Sequence, residues 1–117
     1  MAHEVSGNDQ ILFVYGTLMD PTLRRRLLGR DVRVERGILT GFRRRKNRHF
    51  YITREARAFV EGLLLFELSN QDLIRLDQYE EVPHLYTREK LTVSSSSNHR
   101  YLAWVYLPTQ RLLSFSA

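Results

Sequence analysis

The stretch Ile11-Leu12-Phe13-Val14-Tyr15-Gly16-Thr17-Leu18, followed at once by Met19-Asp20-Pro21, narrows what this chain can fold into more than any other. Four consecutive apolar residues, Ile11 to Val14, read as a short strand buried on both faces. Gly16 stops that strand, because a residue without Cβ turns where others clash. Asp20 is a favoured N-cap and Pro21 suits the first helical position, so a helix begins there. Strand, tight loop and helix follow in quick succession. Loop N–H groups backed by a helix start suit an anion or an oxyanion, and an active site is expected at this point.

Short apolar runs alternate with turn residues along the rest of the chain. Residues 21 to about 28 are predicted helical, with Leu23, Leu27 and Leu28 on one face, the arginines turned away, and Gly29 as C-cap. Alternation over 32–42 predicts a half-exposed strand. Val32, Val34, Ile38 and Phe42 share one face; Arg33, Glu35, Leu39 and two bulge-permitting glycines share the other. A basic run at 43–48 is followed by a short strand over 49–53 and a polar turn over 54–57. The strongest strand is 58–68, where Val60, Gly62, Leu64, Phe66 and Leu68 make an uncharged face. Ser69-Asn70-Gln71-Asp72 resembles a capping box and opens a helix to about Asp77, with Leu73, Ile74 and Leu76 inward. Residues 78–85 are expected to be a loop. Strands are expected over 86–93 and 101–107, with 94–98 as the hairpin turn between them. Tyr86 and Arg88 share a face that Leu91 and Val93 do not, which predicts a phase change near Lys90.

Five to six strands and short helices make an α+β domain, and a small mixed β-barrel covers such strands well. The expected organisation is a flexible tail over 1–10, one domain over 11–108, and a C-terminal tail over 109–117. That tail carries Leu112, Leu113 and Phe115, to dock on the domain or on another subunit.

Composition excludes several classes of function. With no cysteine, thiolate metal sites, disulfides and cysteine nucleophiles are ruled out. His3, His49, His84 and His99 show no paired spacing, so no metal site is expected, and no cofactor is called for. No serine elbow of the Gly-x-Ser-x-Gly kind is present. The opening residues lack the apolar run of a signal peptide, and no run approaches the roughly 20 residues of a membrane helix, so a cytoplasmic location and no membrane partner are expected. A net charge of +5, with arginines at 24–26 and 43–45, raises nucleic acid as a partner. Aromatic interleaving in those runs is poor, and that reading ranks last.

Two further segments carry candidate chemistry. Leu76-Asp77-Gln78-Tyr79-Glu80-Glu81 places three acids at a helix end, where the dipole disfavours negative charge and a partly buried carboxylate gains a raised pKa. Tyr86-Thr87-Arg88 opens the strand that follows.

Together with Val14-Tyr15-Gly16-Thr17-Leu18, these two segments resemble the γ-glutamylcyclotransferase-like family, which includes AIG2-like proteins and γ-glutamylamine cyclotransferases. The resemblance spans roughly 11–108. It implies a small β-barrel flanked by helices, with a pocket between the glycine loop and the acidic loop. It also implies cyclisation of a γ-glutamyl group to 5-oxoproline, releasing an amine or amino acid. Carried over, Glu80 is the general acid/base. Tyr15, Gly16, Thr17 and Leu18 hold the glutamyl end, and Tyr86 lies close to Glu80. Many relatives have Gly after that acid where this chain has Glu81, and substrate-selecting residues are expected within 43–57. The alternative is a non-catalytic small-molecule-binding or interaction module of the same fold.

Overall fold

The computed structural model describes residues 9–115. Five strands, β1 (Gln10–Val14), β2 (Val34–Lys46), β3 (Phe50–Leu68), β4 (Tyr86–Ser95) and β5 (Arg100–Pro108), close into a barrel in the order β1-β3-β2-β4-β5. Neighbours are antiparallel except β1 and β5, whose parallel pairing sets Leu12 beside Trp104 and Phe13 beside Val105. Three helices, α1 (Pro21–Leu28), α2 (Asn70–Tyr79) and α3 (Gln110–Leu113), accompany the barrel. The expected mixed barrel with short helices is the observed architecture. No helix among the described residues is long and apolar enough to cross a membrane.

β1 is buried on both faces, as its unbroken apolar run predicts, because its residues feed two separate cores. Phe13 and Tyr15 pack inside the barrel with Leu39, Phe42, Ile52, Leu64 and Val93. Leu12 and Val14 pack outside it, with Leu18, Leu28, Leu73, Leu76, Tyr86 and Tyr106. Each such fully buried side chain contributes about 1.5–3 kcal/mol. The same alternation removes the phase change expected near Lys90. β4 pairs with β5 in unbroken register from Tyr86–Pro108 to Ser94–Arg100. Tyr86 joins the outer core and Val93 the inner one, so both are buried without a bulge.

Other expectations are corrected. On β2 the faces are exchanged: Val34 and Ile38 are exposed, whereas Leu39 is buried. Phe42 is buried too, because an irregularity between Thr40 and Phe42, with Gly41 at φ 85°, shifts the alternation. The polar segment 54–57 is not a turn. β3 runs through it as a 19-residue strand, and the extra residues sit in the same irregularity, where Thr40 pairs with Phe59 but Phe42 with Arg54. The basic residues 43–46 are the partner strand of this long hairpin. α2 ends at Tyr79 rather than Asp77, and its Ile74 is exposed. Gln10 belongs to β1, and Trp104 Nε1 donates to its side chain; residues 1–8 of the expected N-terminal tail lie outside the described residues. In the C-terminal segment, α3 docks on the domain through buried Leu112, while Leu113 stays exposed.

Local signals behave as their chemistry dictates elsewhere. Asp20 accepts from the Thr22 N–H at the start of α1, and Gly29 caps its end. Ser69 and Asp72 form the reciprocal capping box.

Candidate active site

After β1 the chain makes one 3-10 turn, Thr17–Met19, which satisfies the N–H groups of Met19 and Asp20. Those of Gly16, Thr17 and Leu18 precede the first bond of the turn and take no partner within it. Four contacts fix the loop from outside. Arg24 is buried and donates to the carbonyls of Leu18 (3.1 Å) and Met19 (2.8 Å), so it does not point away with its neighbours as expected. Arg44 donates to the Tyr15 carbonyl at 2.9 Å. The Thr17 hydroxyl and the Tyr79 phenol share a hydrogen bond of 3.0 Å, joining the loop to the end of α2. A Cβ on Gly16 would sit 3.2 Å from Cβ of Phe50, so glycine lets the hairpin lie against the loop.

Glu80 is the C-terminal cap residue of α2, with its N–H returned to the Leu76 carbonyl at 2.9 Å. Its side chain is half-buried, and its pKa is pushed up to about 7, first by desolvation and then by the charge of Asp77. Asp77 accepts two bonds from Arg88, at 2.6 and 2.8 Å, and one from the Tyr106 phenol at 2.8 Å. Arg88 in turn lies over the Trp104 ring. A fixed negative charge thus stands behind Glu80. The next residue, Glu81, adopts φ 56°, a left-handed conformation that glycine takes more easily.

Glycine loop, α2 end and hairpin enclose a cavity of about 400 Å³. Tyr15, Gly16, Thr17 and Leu18 line one side, Tyr79, Glu80 and Glu81 another, and Lys46, Arg48, His49 and Phe50 a third; Tyr86 and Tyr106 complete it. The residues given roles by the resemblance, Tyr15, Gly16, Thr17, Leu18, Glu80 and Tyr86, therefore all border one cavity. They offer different groups, however. The Tyr15 phenol is spent on the Tyr106 carbonyl at 2.7 Å, and that of Tyr86 on the Phe50 carbonyl. Burial, followed by nearby phenol or carboxylate charge, raises the pKa of both, so each phenol keeps its proton and donates.

A scan of family models matches residues 12–114 to "Gamma-glutamyl cyclotransferase, AIG2-like". The chain belongs to this gamma-glutamyl cyclotransferase, AIG2-like family. Among curated relatives, "Gamma-glutamylcyclotransferase and putative RNase MJ0434" of Methanocaldococcus jannaschii is 24% identical over 103 residues, covering 86% of this chain. The match takes in 46% of that relative, so this chain spans about half its length. Solved structures share the fold. At5g39720.1 from Arabidopsis thaliana superposes with a TM-score of 0.79 at 24% identity, covering 92% of this chain and 73% of that one. A structure titled gamma-glutamyl cyclotransferase gives 0.73 at 14% identity, covering 86% and 67%. Human loc79017 gives 0.73 at 18%, covering 88% and 68%.

Within this member of the family, sequence reasoning missed the Asp77–Arg88–Tyr106 group, whereas the hairpin wall falls inside the 43–57 segment expected to hold substrate-selecting residues. The resemblance singled out that segment; from the residues alone, its basic run pointed only to nucleic acid. Arg88 and Asp77 were both inside singled-out segments, but nothing in their spacing shows that they pair. The basic runs are also largely spent internally: Arg24 and Arg44 on loop carbonyls, Arg43 and Arg45 on Glu55.

Proposed function

We propose that this protein cyclises a γ-glutamyl group to 5-oxoproline and releases the attached amine or amino acid. The observation that carries this reading is Glu80, a half-buried carboxylate with a pKa near 7 that borders the same cavity as the glycine loop. Glu80 is the general acid/base. Gly16, Thr17 and Leu18 receive the glutamyl end on their N–H groups, and Tyr15 and Tyr86 hold the walls on either side.

The chemistry needs no protein nucleophile and no co-reactant. The substrate's α-nitrogen attacks its own γ-carbonyl carbon; one C–N bond forms and the C–N bond to the leaving amine breaks. Of the protons on the α-ammonium, one stays on the lactam nitrogen and two finish on the leaving amine. Glu80 accepts from the first nitrogen and delivers to the second, a double duty suited to a pKa near the working pH. Bending the substrate so that its two ends meet contributes proximity worth roughly 7 kcal/mol or more. The loop N–H groups offset the negative charge of the glutamyl end.

The test is 5-oxoproline release from a panel of γ-glutamyl peptides and amines. Glu80→Gln is expected to lower kcat by about a hundredfold or more with an unchanged circular dichroism spectrum. Activity that survives the substitution removes Glu80 from the mechanism. Thermal stabilisation by these compounds without turnover by the wild type would leave the non-catalytic binding module as the better reading.

A further inference from the structure

The five cations of the run 43–48 are treated unequally by the fold. Arg43 and Arg45 pair with Glu55 at 2.6 and 3.3 Å, and Arg44 serves the Tyr15 carbonyl. The remaining two, Lys46 and Arg48, have no ion-pair partner among the described residues. Both line the cavity, and each lies over an aromatic ring: Lys46 over Phe50 at 4.9 Å, Arg48 over Phe115 at 5.5 Å. The rings hold the cations in place without neutralising them. Adjacent like charges at the lip of a cavity repel each other and raise the local potential, which favours an anion there.

The opposite wall carries Glu80 and Glu81, so the cavity is positive on the hairpin side and acidic on the α2 side. Depth then orders the substrate. Glu80 is half-buried, whereas Lys46 and Arg48 are exposed at the rim. Reacting atoms belong beside Glu80, with the α-ammonium toward it, and the part that projects to the rim is the substituent of the leaving amine.

We propose that Lys46 and Arg48 select γ-glutamyl compounds whose leaving amine carries carboxylates, with acidic amino acids preferred. The assignment rests on the cyclotransferase reading and names the substrate class of that same site. Such a leaving group makes charge-assisted hydrogen bonds to both cations. A neutral amine leaves the two cations as they are in the empty site.

The experiment compares kcat/KM for γ-glutamyl-glutamate, γ-glutamyl-alanine and γ-glutamyl-methylamide, whose leaving amines carry two, one and no carboxylates. The expected order follows that charge, with about fivefold to tenfold per carboxylate. In Lys46→Gln/Arg48→Gln the ratio of the first compound to the last is expected to fall toward one, and Lys46→Arg to preserve it. Raising the salt from about 20 to 200 mM should shrink the wild-type ratio as well, which tests the idea without any variant. A ratio unchanged by the double substitution overturns the proposal, including the case in which both compounds lose equally and the cations hold the glutamyl end. If none of the three releases 5-oxoproline, it is the cyclotransferase reading that fails. The Kd ratio for the same compounds, measured by calorimetry on wild type and double variant, then decides the charge preference.

Discussion

Helix α2 carries a buried or half-buried carboxylate at each end, and the fold drives the two in opposite directions. At the N-terminal end, Asp72 is almost fully buried yet accepts from the Ser69 N–H at 2.8 Å and from Arg30 at 2.7 and 3.0 Å. Those bonds outweigh desolvation and lower its pKa to about 2. At the C-terminal end, Glu80 is less deeply buried but meets only desolvation and the charge of Asp77, and rises to about 7. The N-terminal end also supplies free N–H groups and a favourable dipole, while the C-terminal end supplies carbonyls. Burial alone therefore does not decide a carboxylate's state; the available donors do. One end of the helix is built to be stable as an anion, the other to change protonation near neutrality.

The contrast breaks most visibly when each carboxylate is made neutral. Asp72→Asn is expected to cost about 2 kcal/mol at pH 7, read from urea unfolding. Because the folded pKa of Asp72 lies below the unfolded one, its contribution is complete above about pH 4 and fades as the pH falls toward 2. Wild type and variant should converge there. Glu80→Gln should do the reverse. The folded pKa of Glu80 lies above the unfolded value, so wild-type stability is lost as the pH rises from about 4.5 through 7. The variant should match wild type at pH 4 and exceed it by about 2 kcal/mol at pH 8. A destabilised Glu80→Gln at pH 8 would mean that the carboxylate has partners in the fold.

A smaller effect isolates the second cause of the Glu80 shift. Asp77→Asn removes the fixed charge but leaves the burial, so the Glu80 titration, followed by carboxyl carbon NMR, should move acidward while staying above that of a free carboxylate. No movement would leave desolvation as the whole cause. Smallest is Glu81→Gly, which relieves the left-handed backbone next to Glu80 and should add a few tenths of a kcal/mol to stability in thermal melts.

These outcomes bear on how much could be read before any coordinates. The capping box, the start of α1 and the turn between β4 and β5 depend on neighbouring residues, and they were legible. The convergence of Gly16, Glu80 and Tyr86 on one cavity was legible through the family resemblance, although Tyr15 and Tyr86 turn out to donate to backbone carbonyls. Period-two reading failed on β2, where Leu39 rather than Ile38 is buried and the break at Gly41 brings Phe42 to the buried side as well. Residues 54–57 read as a turn because polarity marks any exposed segment, whether it reverses the chain or extends it. Arg24 was missed because a long cationic side chain can bury its stem and find carbonyls at its tip. Nothing local shows that; the carbonyls of Leu18 and Met19 become acceptors only once the 3-10 turn exists.

The parallel pairing of β1 with β5 has a consequence for how the site comes into being. The first strand finds one neighbour in β3 and the other only in β5, and the Tyr15–Tyr106 bond spans 91 positions of the chain. During synthesis the early glycine loop emerges long before Tyr79 and Tyr106, two of the residues that hold it, and its setting is complete only when β5 has closed the ring. Contacts of such wide sequence separation make for slow, all-or-none assembly. Recognition and integrity are thus tied together: a small molecule that occupies the cavity steadies the entire barrel, and a half-folded chain has no partial version of the site to offer.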